Sequence, residues 1–473
     1  MARLVVISNR VALPTGDGAS RAGGLEIAVR AALRRQNGIW FGWSGKIAAP
    51  ENIATQTVRH DDLTYVVTDL TKEDYEEYYS GFANQVLWPV LHYRLDLAEF
   101  SRRDLTGYFR VNEHFAAELH KILRPDDVLW VHDYHLMPLA KALRDRGHDN
   151  RIGFFLHIPL PPPDILTVLP NHERLIGALS HYDLVGFQTE SDVENFGRYL
   201  TKESHLPSRD QRTFTTADRT VRIGAFPVGI ETTEFGRLAR RALRSTFVKE
   251  VLGSMVDRAM IIGVDRLDYS KGLPLRMEAF ERFLAGYPDW RGKVTYLQIT
   301  PKSRSEIREY KDIDKAVGSA AGRINGTYGE ASWTPIRYVN RAHSRTALAG
   351  LYRAARAALV TPLRDGMNLV AKEYVAAQDP EDPGMLILSR FAGAAVELDA
   401  ALLVNPYDSE SVATAIAQAL AMPLDERKAR HEVMLHALAA SDLKFWADRF
   451  LGALTRPRPL PNWLRQVSSL VAM

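Results

Sequence analysis

The amino-acid sequence predicts an α/β protein built from two doubly wound, mainly parallel sheets. Three observations lead there. Short β-branched and apolar runs alternate with helix-like stretches from end to end. The runs are continuously apolar, as strands covered on both faces need to be. The pattern also restarts in mid-chain, after a polar helical segment over about residues 232–256.

The strand candidates of the first series are RLVVIS, IWFGW, TYVVTDL, VLWVHD, RIGFFLHI, DLVGFQ and VRIGAFPVGI. Those of the second are AMIIGVD, VTYLQIT, IRYVN, AALVTPL, MLILS and ALLVNP. Between them, stretches such as EHFAAELHKIL and MEAFERFLAGY carry apolar residues at helical spacing. An eight-stranded barrel also alternates β and α, but about 13 strands with a central restart fit two open sheets better. The expected division is a domain over 1–235, a second over 236–455, and a tail over 456–473 packing back across the first. That tail begins in the proline-rich TRPRPLPNW, which cannot form a long helix.

The 473 residues are 46% hydrophobic and 25% charged, enough for more than one core. The 60 Lys and Arg are nearly matched by 57 Asp and Glu, for a net charge of +3. The single basic run, RLARRALRS, reads as a solvated helix face, which argues against a nucleic-acid partner. With no cysteine, disulfides, zinc–thiolate sites and thiol nucleophiles are excluded. The start MARLVVISNR has an apolar core of four residues. A signal peptide needs about 7–15 and a membrane span about 18–20, so no membrane association and a cytoplasmic location are expected.

Ligands of open parallel sheets bind at the carboxyl ends of the strands. Arg10 ends the first strand, and Gly23-Gly24 stand where a helix begins, either as a turn or as a close approach to phosphate. No phosphate-loop or dinucleotide signature is present. In LWVHDYHLMPLA, Asp133 lies between His132 and His135 and reads as a metal ligand, a satisfied polar turn or a ligand contact. His157 caps an apolar strand ahead of a rigid proline run, as a structural or a ligand-facing imidazole.

In GVDRLDYSKG, Arg266 and Lys271 bring two cations to one loop. Either Asp265 and Asp268 neutralise them, or a diphosphate does. Finally, TPLRDGMNLVAKEYVAAQ places a charged turn between a strand and a helix. Its helix N–H groups would face a phosphate, with Glu373 accepting from a ribose diol and Asp365 free for sugar hydroxyls. The alternative is a charged loop with a helix cap.

The motifs SNR, AGG, FGWSG, EYY, VLWP, HDYH, FFLHIP, GFQT, RLDYSKG, GRINGTYG and TPLRDGMNLVAKEYVAAQ occur in this order. Together they resemble the retaining, two-domain glycosyltransferases of family 20 that make trehalose 6-phosphate, bacterial members above all. The resemblance runs from residue 3 to about 450. It implies a GT-B fold, two Rossmann-like domains facing a central cleft, with no cofactor and no metal. It implies transfer of glucose from UDP-glucose to C1 of glucose 6-phosphate, and leaves open a homo-oligomer.

Carried over residue by residue, Arg266 and Lys271 would grip the diphosphate. Asp365, with the backbone of Gly366, Met367, Asn368, Leu369 and Val370, would hold the transferred glucose and phosphates. Glu373 would bind the ribose, and Gly23-Gly24 would close over the donor. Arg10, Tyr79, Trp88, Asp133 and Arg304 would form the acceptor pocket, and His157 would sit at the reacting sugar. His343 falls where family members differ near the base, so preference for uridine rests on resemblance. Two rivals stand beside this reading: another phosphorylated acceptor, such as glycerol 3-phosphate or a cyclitol phosphate, and a non-catalytic sugar-phosphate sensor.

Overall fold

The computed structural model describes residues 2–11, 13, 29–30, 33, 38–60, 62–303 and 307–456. Strands β1 (Leu4–Arg10), β2 (Ile39–Ile47), β3 (Thr55–His60), β4 (Leu63–Leu70), β5 (Val128–His132), β6 (Arg151–Phe155), β7 (Leu184–Phe187), β8 (Thr213–Thr215) and β9 (Thr220–Ala225) form one sheet. Its order is β3-β4-β2-β1-β5-β6-β7-β9-β8. Strands β10 (Ala259–Val264), β11 (Val294–Ile299), β12 (Ile336–Val339), β13 (Ala357–Val360), β14 (Met385–Ser389) and β15 (Leu402–Val404) form the other, in the order β12-β11-β10-β13-β14-β15.

Among the described residues, every pairing is parallel except β3 with β4 and β8 with β9. Counting parallel strands alone, each sheet winds outward both ways from its first strand, the Rossmann order. The switch points therefore lie between β1 and β5 and between β10 and β13.

All of the strand candidates form strands. The two that the sequence did not announce, β3 and β8, are antiparallel edges. TQTVRH of β3 is almost wholly exposed and carries no apolar face to signal it. The continuously apolar strands are explained by their two covered faces. Leu4 and Val6 of β1 share one apolar cluster with Met260 and Ile262 of β10. Val5 and Ile7 point into a second cluster, and Ile261 into a third.

The segment between the sheets is two helices, Thr232–Ala242 and Thr246–Gly253, broken where the Ser245 side chain caps the second. The first buries Phe235, Ala239 and Ala242 and leaves most of its basic residues in solvent, as the solvated-face reading expects.

The chain crosses back before residue 455. Helix Leu443–Thr455 lies against β6 and β7 of the first sheet. Phe450 stacks on Trp130 at 4.9 Å and Trp446 meets the Phe155 ring at 5.2 Å. Gly153 and Gly186 make this possible, since a Cβ on either would stand within 2.9 Å of an aromatic ring, Phe450 or Phe155. A strand glycine here marks a docked aromatic ring. The expected tail from 457 onward lies outside the described residues.

Phe450→Ala should lower stability by about 3–5 kcal/mol through lost burial and a residual cavity. Urea unfolding followed by tryptophan fluorescence measures it, and an unchanged midpoint would show that this helix contributes nothing to the first sheet.

Candidate active site

At the first switch point Arg10 is exposed at the tip of β1, its guanidinium 5.6 Å from the centre of the Trp43 ring. Across from it, β5 ends in His132, and Asp133 follows. Asp133 has φ +77° and ψ 165°, backbone that non-glycine residues rarely adopt, at a cost of about 1–3 kcal/mol. Its N–H donates to the Phe155 carbonyl at 2.8 Å and its Oδ1 accepts from the His157 N–H at 3.3 Å. One carboxylate thus ties the tips of β5 and β6 together. The His157 ring lies beside buried His132, with Nε2 3.0 Å from His132 Nδ1. Burial pushes His157 down to about 3, and His132 is lowered by burial and by His157. Both rings are neutral at neutral pH.

The metal reading of this stretch fails on geometry. His135 turns away from His132 and stacks on Tyr79, centroids 5.8 Å apart and planes 11° apart. Among the described residues no group of three metal-ligating side chains is assembled.

Tyr79 and Trp88 come from one helical run in which Tyr75–Leu87 is wound with i→i+5 hydrogen bonds. Such widening is usually a single turn and is frequent at functional sites. It stacks Tyr75 on Tyr79 at 5.4 Å. Trp88 is buried and reaches the other half of the molecule: its indole N–H donates to Asp268 Oδ1 at 3.4 Å.

At the second switch point, β10 is followed by Arg266, Asp268 and Lys271. Asp268 is fully buried and accepts from the Ser270 N–H and hydroxyl, both at 2.9 Å, and from the Tyr310 hydroxyl at 3.3 Å. Arg266 stands 3.9 Å from that carboxylate with its side chain 48% exposed, over the Trp88 ring at 5.6 Å. Asp265 has another task. It pairs at 2.5 Å with fully buried Arg276, which also donates to Thr361 Oγ1 and to the Lys271 carbonyl. Arg276 thereby clamps the β10 loop to the end of β13.

Beyond β13, Lys271 Nζ lies 2.5 Å from Asp365 Oδ2, which also accepts from Asn368 Nδ2 at 3.0 Å. The expectation of a free Asp365 is therefore corrected: its carboxylate is engaged by the lysine and by the cap residue. Asn368, at φ +75°, caps helix Leu369–Ala377 through Oδ1 on the Ala371 N–H and leaves the Leu369 and Val370 N–H groups at the strand end. Gly366 packs on the other domain. A Cβ there would collide with the His157 carbonyl oxygen, and one on Gly393 would collide with the Gly366 carbonyl oxygen. Met367 is buried beneath this layer, its carbonyl held by the Ala394 N–H at 2.8 Å.

Glu373, one turn into the helix, is desolvated, and burial raises its carboxyl to about 7 against the opposing charge of Arg345. His343 follows β12 at the sheet edge, its ring 5.0 Å from that of Phe247. Gly23, Gly24 and Arg304 lie outside the described residues.

The structure thus brings Trp88, from the helical run of the first half, against Arg266 and Asp268, and the His157 tip of β6, tied to Asp133, against Gly366 beside the Lys271–Asp365 pair. Sequence reasoning missed Arg276 and Lys372. The latter donates to the Val228 carbonyl at 2.8 Å and pairs with Glu397 at 2.5 Å, fully buried. A cation at an otherwise apolar helical position was the available signal.

Comparison with known proteins identifies the family. The Glycosyltransferase family 20 model matches residues 10–456. The chain is 54% identical over 457 residues to the trehalose-6-phosphate synthase of Sinorhizobium fredii, covering 96% of this chain and 98% of the relative. A crystal structure of a UDP-forming α,α-trehalose-phosphate synthase from Burkholderia xenovorans in complex with glucose-6-phosphate superimposes with a TM-score of 0.92 at 46% identity, over 96% of this chain and 100% of that one. The E. coli protein bound with UDP-2-fluoro glucose gives 0.92 at 44% identity, over 97% and 100%. The two facing Rossmann sheets are the GT-B fold, and the chain belongs to glycosyltransferase family 20.

Proposed function

We propose that this chain is a retaining glucosyltransferase that moves glucose from UDP-glucose to glucose 6-phosphate, giving α,α-trehalose 6-phosphate and UDP. The observation that carries the reading is the meeting of the two sheets at their carboxyl ends, where Gly366, next to the Lys271–Asp365 pair of one sheet, packs on the His157 carbonyl at the tip of β6 in the other. Near-full-length identity to trehalose-6-phosphate synthases supports the substrates.

In this reading the donor lies on the second sheet. Its diphosphate takes Arg266, Lys271 and the N–H groups that open helix Leu369–Ala377, drawing Lys271 from Asp365 and releasing that carboxylate for sugar hydroxyls. Gly23 and Gly24 close over it. The acceptor lies on the first sheet among Arg10, Tyr79, Trp88 and Asp133, with Arg304 joining Arg10 on the 6-phosphate. Attack comes from the face of the leaving group: the C1–O bond to the β-phosphate breaks, the acceptor oxygen bonds to C1, and the acceptor's proton passes to the departing phosphate oxygen. No protein nucleophile is needed. Arg266, Lys271 and the helix N–H groups stabilise the charge that builds on the phosphate, in the role a metal would otherwise fill. This scheme uses no cofactor, and the reading includes a cytoplasmic location.

Purified protein incubated with UDP-glucose, glucose 6-phosphate and EDTA should release UDP and a non-reducing disaccharide phosphate, read by phosphorus NMR and mass spectrometry. Donor bound without product would overturn the named acceptor. Arg266→Ala and Lys271→Ala should each lower kcat by about 10²-fold or more; near-normal turnover in both would remove the leaving-group argument.

Glu373 supplies a pH test. Its folded pKa is raised, so the folded state holds this proton more tightly than the unfolded chain, and the stability contribution is present at low pH and lost as pH rises through about 7. A ribose diol donates best to the ionised form. UDP-glucose affinity measured by calorimetry should therefore rise several-fold from pH 6 to 8, and Glu373→Gln should flatten that rise.

A further inference from the structure

His132 is placed in no role by the scheme above, yet it is buried and bonded to the imidazole at the reacting centre. Its Nδ1 lies 3.0 Å from His157 Nε2, the rings 5.2 Å apart and 19° from parallel. Two neutral imidazoles can share this bond in two ways. If His157 Nε2 carries the proton, His132 keeps its own on Nε2, and His157 Nδ1 faces outward as an acceptor. If His132 Nδ1 carries it, His132 Nε2 is a bare lone pair and His157 Nδ1 an N–H donor.

The surroundings of His132 choose between them. Its Nε2 is buried and, among the described residues, takes no hydrogen bond. The ring lies 4.6 Å from Trp130 and 6.3 Å from Trp446. Both indole N–H groups are also buried and likewise take no acceptor among the described residues. Indole nitrogen only donates. The first arrangement would put three orphaned N–H donors into one aromatic layer, and buried orphan donors are the rarest kind. The second replaces the third orphaned donor with an unpaired lone pair, the less costly of the two in such a layer. Burial keeps both rings uncharged, so neither arrangement is displaced by an imidazolium.

We infer that His132 is a positioning residue that locks His157 in the Nδ1–H tautomer, so that His157 acts as a neutral hydrogen-bond donor to an oxygen of the transferred sugar. His157 Nδ1 takes no protein partner among the described residues, and the His157 backbone abuts Gly366 of the donor loop. The tautomer makes His157 unable to accept a proton from a sugar hydroxyl through that atom, and it ties the chemistry to helix Leu443–Thr455, which supplies Trp446. The inference rests on the proposed placement of His157 at the sugar.

Long-range proton–nitrogen spectra of the full-length protein labelled with ¹⁵N-histidine read the tautomer directly, the resonances being assigned with His157→Gln and His132→Asn. Nδ1-protonated His157 is expected, and Nε2-protonated His157 would overturn the inference whether or not the enzyme makes the named product. In turnover, His132→Phe should lower kcat about tenfold or more with little change in KM for glucose 6-phosphate. His132→Asn, whose amide nitrogen replaces Nδ1 as donor, should recover most of it. Equal losses in folded Phe and Asn variants would reduce His132 to packing.

Discussion

The active site depends on two backbones touching. Gly366, at the tip of β13, lies against the carbonyl of His157 at the tip of β6, and Gly393 lies against Gly366 in turn. No side chain fits at either place. Because these contacts involve the main chain, the distance between the two sheet edges is set by van der Waals contact and does not depend on the reach of flexible side chains. Trp88 on Asp268, and Lys372 on the Val228 carbonyl, then fasten the same junction at its flanks.

Charge is arranged around that junction in a graded way. The most deeply buried cations, Arg276 and Lys372, have hydrogen-bonded carboxylate partners and hold loops in place. Breaking such a pair leaves an uncompensated buried charge, so both are structural anchors. Lys271 is less buried and shares its carboxylate with Asn368, while Arg266 is half exposed and 3.9 Å from its nearest acid. The cations best able to change partners are those nearest the expected diphosphate.

Two non-glycine residues with positive φ stand at strand tips in this region, Asp133 and Asn368. Each pays for its strained backbone with a side chain that holds neighbouring main chain, the His157 N–H in one case and the Ala371 N–H in the other. Strain kept at such positions accompanies pre-organised sites.

Much of this was legible in the residues. Unbroken apolar runs such as AMIIGV require a sheet covered on both faces, and restarting them after residue 257 requires two sheets. Because parallel sheets bind at their carboxyl ends, Arg266, Lys271, Asp365 and His157 could be picked out as strand-tip residues. What a linear sequence does not contain is which tips meet. The capture of Asp365 by Lys271, the divergence of His132 from His135 and the return of Leu443–Thr455 to the first sheet all depend on contacts between residues far apart in the chain. The local pattern determined the elements and the chemistry at their ends; tertiary packing decided the partners, because burial and hydrogen bonding across the junction select one pairing among many that the same local sequence allows.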